Sequence, residues 1–399
     1  MAACMTPAPP PTSRQAGPRH WAAVALAASL FLAAIAPTLT WVEFSGGSEN
    51  LVVATALEMH REDRYIVPTL QGEPLIAKPP LAVWLSAAAI SRQTLRDLCS
   101  TDPAVHAAAY RQLAWEVRWP ALLTAGAALV AVYLLARTLL DPGTALAAML
   151  ICGSTLFFLR YARATTTDIH LMLWVTVANF LLARMVLDGR RYTAAVPAGI
   201  ALGLAFMSKG HVSLAQTVLP VVLFVLWRRR RTGPVCTDRQ SCACLIGPII
   251  LLAAIALMVA APWFIHVVTE ADGAWERWWT EITRSGATGL PADSPLAYLA
   301  FIPLFLPWTA LLVVGIAALR SPAPAAEPQP RQRLILALFW LVVPILVMSF
   351  FRDRKERYLL PMIPPAAILA AHGLRLLPTL VARRRRLVLT LHWLPIAAV

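Results

Sequence analysis

The sequence predicts an all-α protein: a polytopic bundle of about 11 transmembrane helices, with a loop region on the outer face of the membrane that carries interfacial helices. Three observations predict it. Of 399 residues, 58% are hydrophobic and only 14% charged, with a mean hydropathy of +0.64, whereas a soluble domain carries about 25% charged residues. Long apolar runs recur along the whole chain. Basic residues collect where those runs end, as in Arg228 to Arg231 and Arg383 to Arg386, which is the mark of cytoplasmic helix ends.

Taken in order, residues 1–20, rich in Pro and Ala, read as a disordered cytoplasmic tail, and 21–399 as one transmembrane domain. A span needs about 20 apolar residues. Trp21 to Val42 is the first; it is long for the apolar core of a cleaved leader and is read as retained. Runs at 119–137, 143–159, 169–187, 193–208, 211–227, 245–268, 296–319, 334–351, 358–380 and 387–399 supply the others. Residues 80–90 are too short to cross and suit an interfacial or re-entrant helix.

Basic residues fix the parity. With the N-terminus inside and 80–90 not crossing, Arg137, Arg190, Arg191, Arg228 to Arg231, Arg331, Arg333 and Arg383 to Arg386 all fall inside. A crossing at 80–90 would invert Arg228 to Arg231 and the later basic loops. The expected location is the plasma (inner) membrane, multi-pass, with outer loops 43–118 and 269–295, a short outer loop at 352–357, and a periplasmic or extracellular active face. Ser321 to Pro330 reads as a flexible cytoplasmic linker.

The net charge of +14 is carried largely by those helix-end runs, so no nucleic-acid partner is expected. The cysteines, Cys4, Cys99, Cys152, Cys236, Cys242 and Cys244, form no disulfide framework, and Cys242-Ala-Cys244 falls in an expected cytoplasmic loop where thiols stay reduced. They lack the further ligands that a metal site needs.

Candidate chemistry lies at the outer face. The chain has 32 arginines but three lysines, Lys78, Lys209 and Lys355, and this topology places all three outside. A lysine is a compact point charge suited to a phosphate. Glu49 follows the first span, and Asp168 stands where another begins. A carboxylate there can take a proton from an attacking hydroxyl, and cations can neutralise a departing phosphate. Structural readings stand beside these. Glu49 and Asp168 each fit the first turn of a helix, Lys209-Gly210 fits a turn with a snorkelling lysine, and Arg352 to Arg357 fits a solvated loop.

Tyr65-Ile-Val-Pro-Thr-Leu-Gln-Gly-Glu-Pro-Leu-Ile-Ala-Lys-Pro-Pro-Leu-Ala-Val-Trp-Leu85 resembles the first outer loop of the GT-C glycosyltransferases. The lipid A aminoarabinose transferases and protein O-mannosyltransferases are the nearest in kind. Arg163-Ala-Thr-Thr-Thr-Asp168, Gly203-Leu-Ala-Phe-Met-Ser-Lys-Gly210, Ala261-Pro-Trp-Phe264 and Arg357-Tyr-Leu-Leu-Pro361 resemble family stretches in the same order. The likeness runs from about 40 to 370 and is most specific in the first loop.

The resemblance implies transfer of a sugar from a polyprenyl-phosphate carrier to a lipid, glycan or protein acceptor among membrane lipids. It implies Glu49 in a catalytic acidic pair, Asp168 as a supporting acid, Lys78 near the donor phosphate, and Lys209 with Arg352, Arg354, Lys355, Arg357 and Tyr358 around that phosphate. Arg118 matches a family arginine that pairs with an acid, or is an ordinary interface anchor. The family's Asp-Glu pair reads Ser48-Glu49 here, and its two metal-linked positions read Ala77 and Ile282, so no metal or other cofactor is expected. The family continues beyond the last apolar run, so a truncated or minimal member is expected. A non-catalytic lipid-phosphate binder or transporter on the same scaffold is the alternative.

Overall fold

A computed structural model describes residues 17–44, 47–189, 191–232, 239–287, 296–320, 328–351 and 354–378, with side chains described for all but 232, 239–245, 281–287 and 328–330. Among these residues the protein is helical, with one minimal hairpin. Helix α1 (Pro18–Ile35) ends in a 3-10 turn, Ala36–Thr40, and is followed by α2 (Gly47–Glu62), the two-residue strands β1 (Thr69–Leu70) and β2 (Glu73–Pro74), α3 (Leu81–Ala89) and α4 (Arg92–Asp97). Then come α5 (Pro103–Leu139), α6 (Pro142–Gly153), α7 (Leu156–Tyr161), α8 (Thr167–Leu187), α9 (Arg191–Lys209), α10 (Val212–Gln216) and α11 (Val218–Thr232). The rest are α12 (Arg239–Glu270), α13 (Ala274–Ala287), α14 (Phe301–Leu304), α15 (Thr309–Ala318), α16 (Pro328–Ser349) and a last helical segment, α17 (Glu356–Pro378).

Among the described residues, seven helices are long and apolar enough to cross a membrane, or eight when one bent pair is taken as a single span. The protein is an integral membrane protein, but the expected eleven spans are not established. Residues 143–159, expected as one helix, divide into α6 and α7. The Ser154 hydroxyl turns back onto Leu150 O at 2.7 Å, and Thr155 starts a new helix by accepting the Phe158 N–H at 3.3 Å. Residues 296–319 bend by 102° between Ala297–Leu304 and Thr309–Ala318, where Pro307 removes a helical donor. The expected span 387–399 lies outside the described residues, as do the basic run Arg383 to Arg386 and most of the linker 321–330. Residues 80–90 form α3, nine residues long, as its length requires.

Helix α5 does most to place the site. Asp102 caps it by accepting the Ala104 N–H at 2.8 Å, Pro103 occupies its first position, and it runs 37 residues. At 1.5 Å per residue it is about 55 Å long, well beyond a hydrocarbon core of about 30 Å, so it carries structure past the membrane boundary. The expected start at 119 therefore falls well inside it. Val52, Ala56 and Met59 of α2 pack with Val83 of α3 and with Leu113 and Val117 of α5 at that end.

The apolar stretches of α5, α8 and α17 are 72%, 72% and 78% buried, against 11% for α1 and 22% for α12. The first three form the interior and the last two the periphery. Helix α12 nonetheless approaches α9 closely, because Gly199 and Gly203 open a groove. A Cβ at either glycine would stand 2.6 Å from Leu252 O or from Val259 Cβ, respectively. The position of α9 matters because its last residue is Lys209.

Candidate functional site

Two buried ion pairs, joined by one turn of backbone, form the polar centre of this end of the bundle. In the first, Glu49, in the opening turn of α2, meets Arg118 of α5. Arg118 Nε donates to Glu49 Oε1 at 2.8 Å and Nη2 to Oε2 at 3.0 Å. The rest of the guanidinium donates to Leu39 O, Val42 O and Glu43 O, and its plane lies over the Phe44 ring at 4.7 Å. Both side chains are buried. A bidentate pair of this kind needs planar donors, which explains an arginine in this position.

Glu49 Oε1 also accepts the Thr165 N–H at 3.0 Å, and the Thr165 hydroxyl bonds Ser86 Oγ of α3 at 2.7 Å. Three residues on, Asp168 lies in the first turn of α8, fully buried, where an acid complements the helix dipole. Its Oδ1 accepts from Lys209 Nζ, while its Oδ2 has no partner among the described residues. Lys209 ends α9, where a cation is favoured. Gly210 then closes the helix at φ +72°, its N–H bonding Phe206 O at 2.6 Å. Lys209 Nζ also stands 4.2 Å from the centre of the Tyr358 ring.

Lys78 arrives on a loop held at many points. Gln71 and Gly72 form a two-residue turn, with φ +56° and +79°, between the short strands. Glu58 of α2 accepts both their N–H groups, at 2.8 and 2.9 Å. Further on, the Trp84, Trp263 and Trp278 indoles donate to Tyr65 O, Ile66 O and Ile76 O at 2.6, 2.8 and 2.8 Å. Pro79 and Pro80 then fix the chain into α3. The backbone bonds, Gly72 foremost, hold the Glu58 carboxyl below its ordinary 4.5. A carboxyl held low contributes stability above that value and loses it as the pH falls through the folded value. Protection of the Gln71 and Gly72 amides, measured against their intrinsic exchange rates, is therefore expected to fall below about pH 4.5, and at neutral pH in Glu58→Gln. Unchanged protection in both conditions would mean the indoles hold the loop alone.

Lys78, Lys209 and Tyr358 share a cavity of about 680 Å³, whose other walls are mainly apolar: Phe206, Leu257, Phe264, Val268 and Met348 among them. Lys78 and Arg357 are close enough to Lys209 to act on its charge, and Arg357 lies over the Tyr358 ring at 5.6 Å. One end of the cavity is thus cationic and the remainder greasy. Glu49, Arg118 and Asp168 are not among its lining residues; they stand behind it.

Of the other expected site residues, Arg354 donates to Ser349 O at 3.1 Å and Lys355 precedes the turn that opens α17. Arg352 lies outside the described residues. Glu356, in the same run, pairs with Arg160 at 2.7 Å. Ala77 lines the cavity, and the side chain of Ile282 is not described. No three His, Cys, Asp or Glu side chains gather for a metal among the described residues. Sequence alone does not identify Glu58, Thr165 or the three tryptophans as site supports. The one signal available is the Gln71-Gly72 turn, which needs its donors satisfied.

Known proteins agree with this architecture. A family model described as dolichyl-phosphate-mannose-protein mannosyltransferase matches residues 105–266. The undecaprenyl phosphate-alpha-4-amino-4-deoxy-L-arabinose arabinosyl transferase of Pseudomonas savastanoi pv. phaseolicola is 26% identical over 79% of this chain and 54% of its own length. That of Pectobacterium carotovorum is 27% identical over 85% and 56%. The chain therefore spans about half the length of the curated relatives it matches. Among solved structures, ArnT from Cupriavidus metallidurans bound to undecaprenyl phosphate superposes with a TM-score of 0.68 at 19% identity, over 90% of this chain and 61% of that one. The oligosaccharyltransferase of Archaeoglobus fulgidus gives 0.60 at 13%, over 94% and 52%. The long α5, the short helices and pinned loop ahead of it, and the paired acids beneath that loop occur here in a chain that shares the fold of those structures and is similar in sequence to those transferases.

Proposed function

We propose that this chain is a membrane glycosyltransferase that moves a sugar from a polyprenyl-phosphate-linked donor to a hydroxyl of a lipid, glycan or protein on the outer side of the membrane. The cavity carries this reading. Its apolar length suits an isoprenoid chain, and Lys78, Lys209 and Tyr358 at its polar end suit a phosphate. The outer side is supported by charge: Arg228 to Arg231 end α11 and Arg331 and Arg333 begin α16, each at the opposite end of its helix from the cavity.

In the proposed reaction the acceptor oxygen bonds the sugar's anomeric carbon as the bond from that carbon to phosphate oxygen breaks. The phosphate leaves with the electron pair and an added negative charge, which Lys78 and Lys209 stabilise in place. Glu49 and Asp168 are engaged by Arg118 and Lys209. In this reading they position the site: Glu49 fixes the turn before α8, and Asp168 aims Lys209. The acceptor proton passes to the leaving phosphate, which becomes more basic as it departs. The names of the relatives make a pentosyl donor the first to test and a hexosyl donor the second.

The test is reconstitution in liposomes with a panel of undecaprenyl-phosphate sugars, following loss of donor. Consumption of one donor is the expected result; a panel in which none is consumed and none binds overturns the proposal. A second reading, binding without transfer, is favoured by the absence of a carboxylate among the cavity's described lining residues. A donor that binds and stays intact would select it.

A further inference from the structure

We propose that a second pocket, at the far end of the bundle, binds the phosphodiester headgroup of an anionic phospholipid. It has a volume of about 560 Å³ and lies between α11, α15 and α16. Its position is independent of the cavity described above. Helix α11 starts close to the first cavity, after Val212, and reaches this pocket at Arg228. Helix α16 meets the pocket at Arg331 and the cavity at Met348. At 1.5 Å per residue, about 24 Å of helix separates the two sites. The inference does not rest on the proposed reaction.

Four arginines, Arg228, Arg231, Arg320 and Arg331, line the pocket, and no carboxylate is among its described lining residues. The general preference for basic residues at cytoplasmic helix ends accounts for their number, but not for their convergence from three helices on one concavity. Arg331 is held in place, its Nε and Nη2 donating to Leu319 O at 3.0 and 2.7 Å, which uses two of its five N–H donors. Arg231 lies over the Trp227 ring at 5.5 Å. Guanidinium groups match the two free oxygens of a phosphodiester.

The floor separates a lipid from a soluble phosphate. Ile316, Ile335, Leu338 and Phe339 continue from the arginines along α15 and α16, and Phe339 packs against Phe224 and Trp227 at 5.9 and 6.1 Å. A charged rim above an apolar floor, with a tryptophan at their junction, matches a headgroup above acyl chains. A free phosphate would have no use for the floor.

Native mass spectrometry of the full chain, released from detergent and titrated with phosphatidylglycerol, phosphatidylcholine or inorganic phosphate, tests this. Phosphatidylglycerol is expected to remain bound while phosphatidylcholine is not, and millimolar inorganic phosphate is expected not to displace it. Replacing Arg228 and Arg320 together by Gln is expected to weaken phosphatidylglycerol about tenfold or more, the order expected for two basic groups beside an anionic lipid. The same pair changed to Lys should keep most of the binding. Should the Gln variant fail to fold, Ile335→Trp fills the floor with the charges intact and is expected to displace the lipid as well. Equal retention of both lipids, indifference to the Gln and Trp variants, or displacement by inorganic phosphate would each overturn the assignment.

Discussion

Replacing Lys209 by Met is expected to lower donor turnover about 100- to 1000-fold, the usual effect of removing one preorganised group from a developing negative charge. The position of Lys209 is fixed from three sides: by the end of α9, by Asp168 and by the Tyr358 ring. In the proposed reaction none of these contacts has to form, so the charge would be in place before the phosphate leaves. The substitution also leaves Asp168 buried opposite an apolar side chain, a cost of its own. Lys209→Met combined with Asp168→Asn removes both charges and separates the two effects. Its turnover should stay low while its melting temperature recovers. Lys209→Arg should restore part of the rate but not all, because a guanidinium differs from an ammonium in size and hydration. The measurements are kcat and KM for donor consumption, beside the melting temperature in detergent. A folded Lys209→Met protein with ordinary kcat would show that this lysine does not face the leaving group.

The membrane class of this chain and the residues of its polar centre are legible in the sequence, because hydropathy and charge are local properties. Glu49, Lys78, Arg118, Asp168, Lys209 and Tyr358 can each be named from the stretch of chain around them. Their pairing cannot. Glu49 and Arg118 are 69 positions apart, and Asp168 and Lys209 are 41 apart; only the packing of α2 and α5 about α3, and of α8 on α9, brings them together. The helix count fails for a different reason. Breaks at Ser154 and Pro307 depend on side-chain caps and on the neighbours that satisfy freed backbone groups, and an apolar run reads the same whether broken or whole. The supports of the Lys78 loop are hidden more deeply. Trp263 and Trp278 lie 197 and 202 residues from the carbonyls they meet, and an indole near a membrane boundary ordinarily reads as an interface anchor.

Changing Glu49 to Gln is expected to destabilise the protein by about 3–5 kcal/mol, the cost of breaking a buried ion pair from one side. The size follows from what Arg118 does. Its guanidinium takes both oxygens of Glu49 and three carbonyls between Leu39 and Glu43, so one side chain ties the end of α1 to the start of α2. Glu49 in turn holds the Thr165 N–H, three residues before Asp168. With Gln in place, the arginine keeps its charge and its burial but loses the countercharge, and the turn that aims Asp168 at Lys209 loosens. Activity should therefore fall together with the melting temperature. Arg118→Met should do the same, leaving a buried carboxylate alone. The double variant, Glu49→Leu with Arg118→Met, buries neither charge and should be more stable than either single variant. A general base behaves differently: Glu49→Gln would lose kcat at an unchanged melting temperature, and removing Arg118 would not offset it. Melting curves of the three variants, set beside their rates of donor consumption, therefore decide whether Glu49 takes a proton or holds in place the lysine-bearing framework around the phosphate.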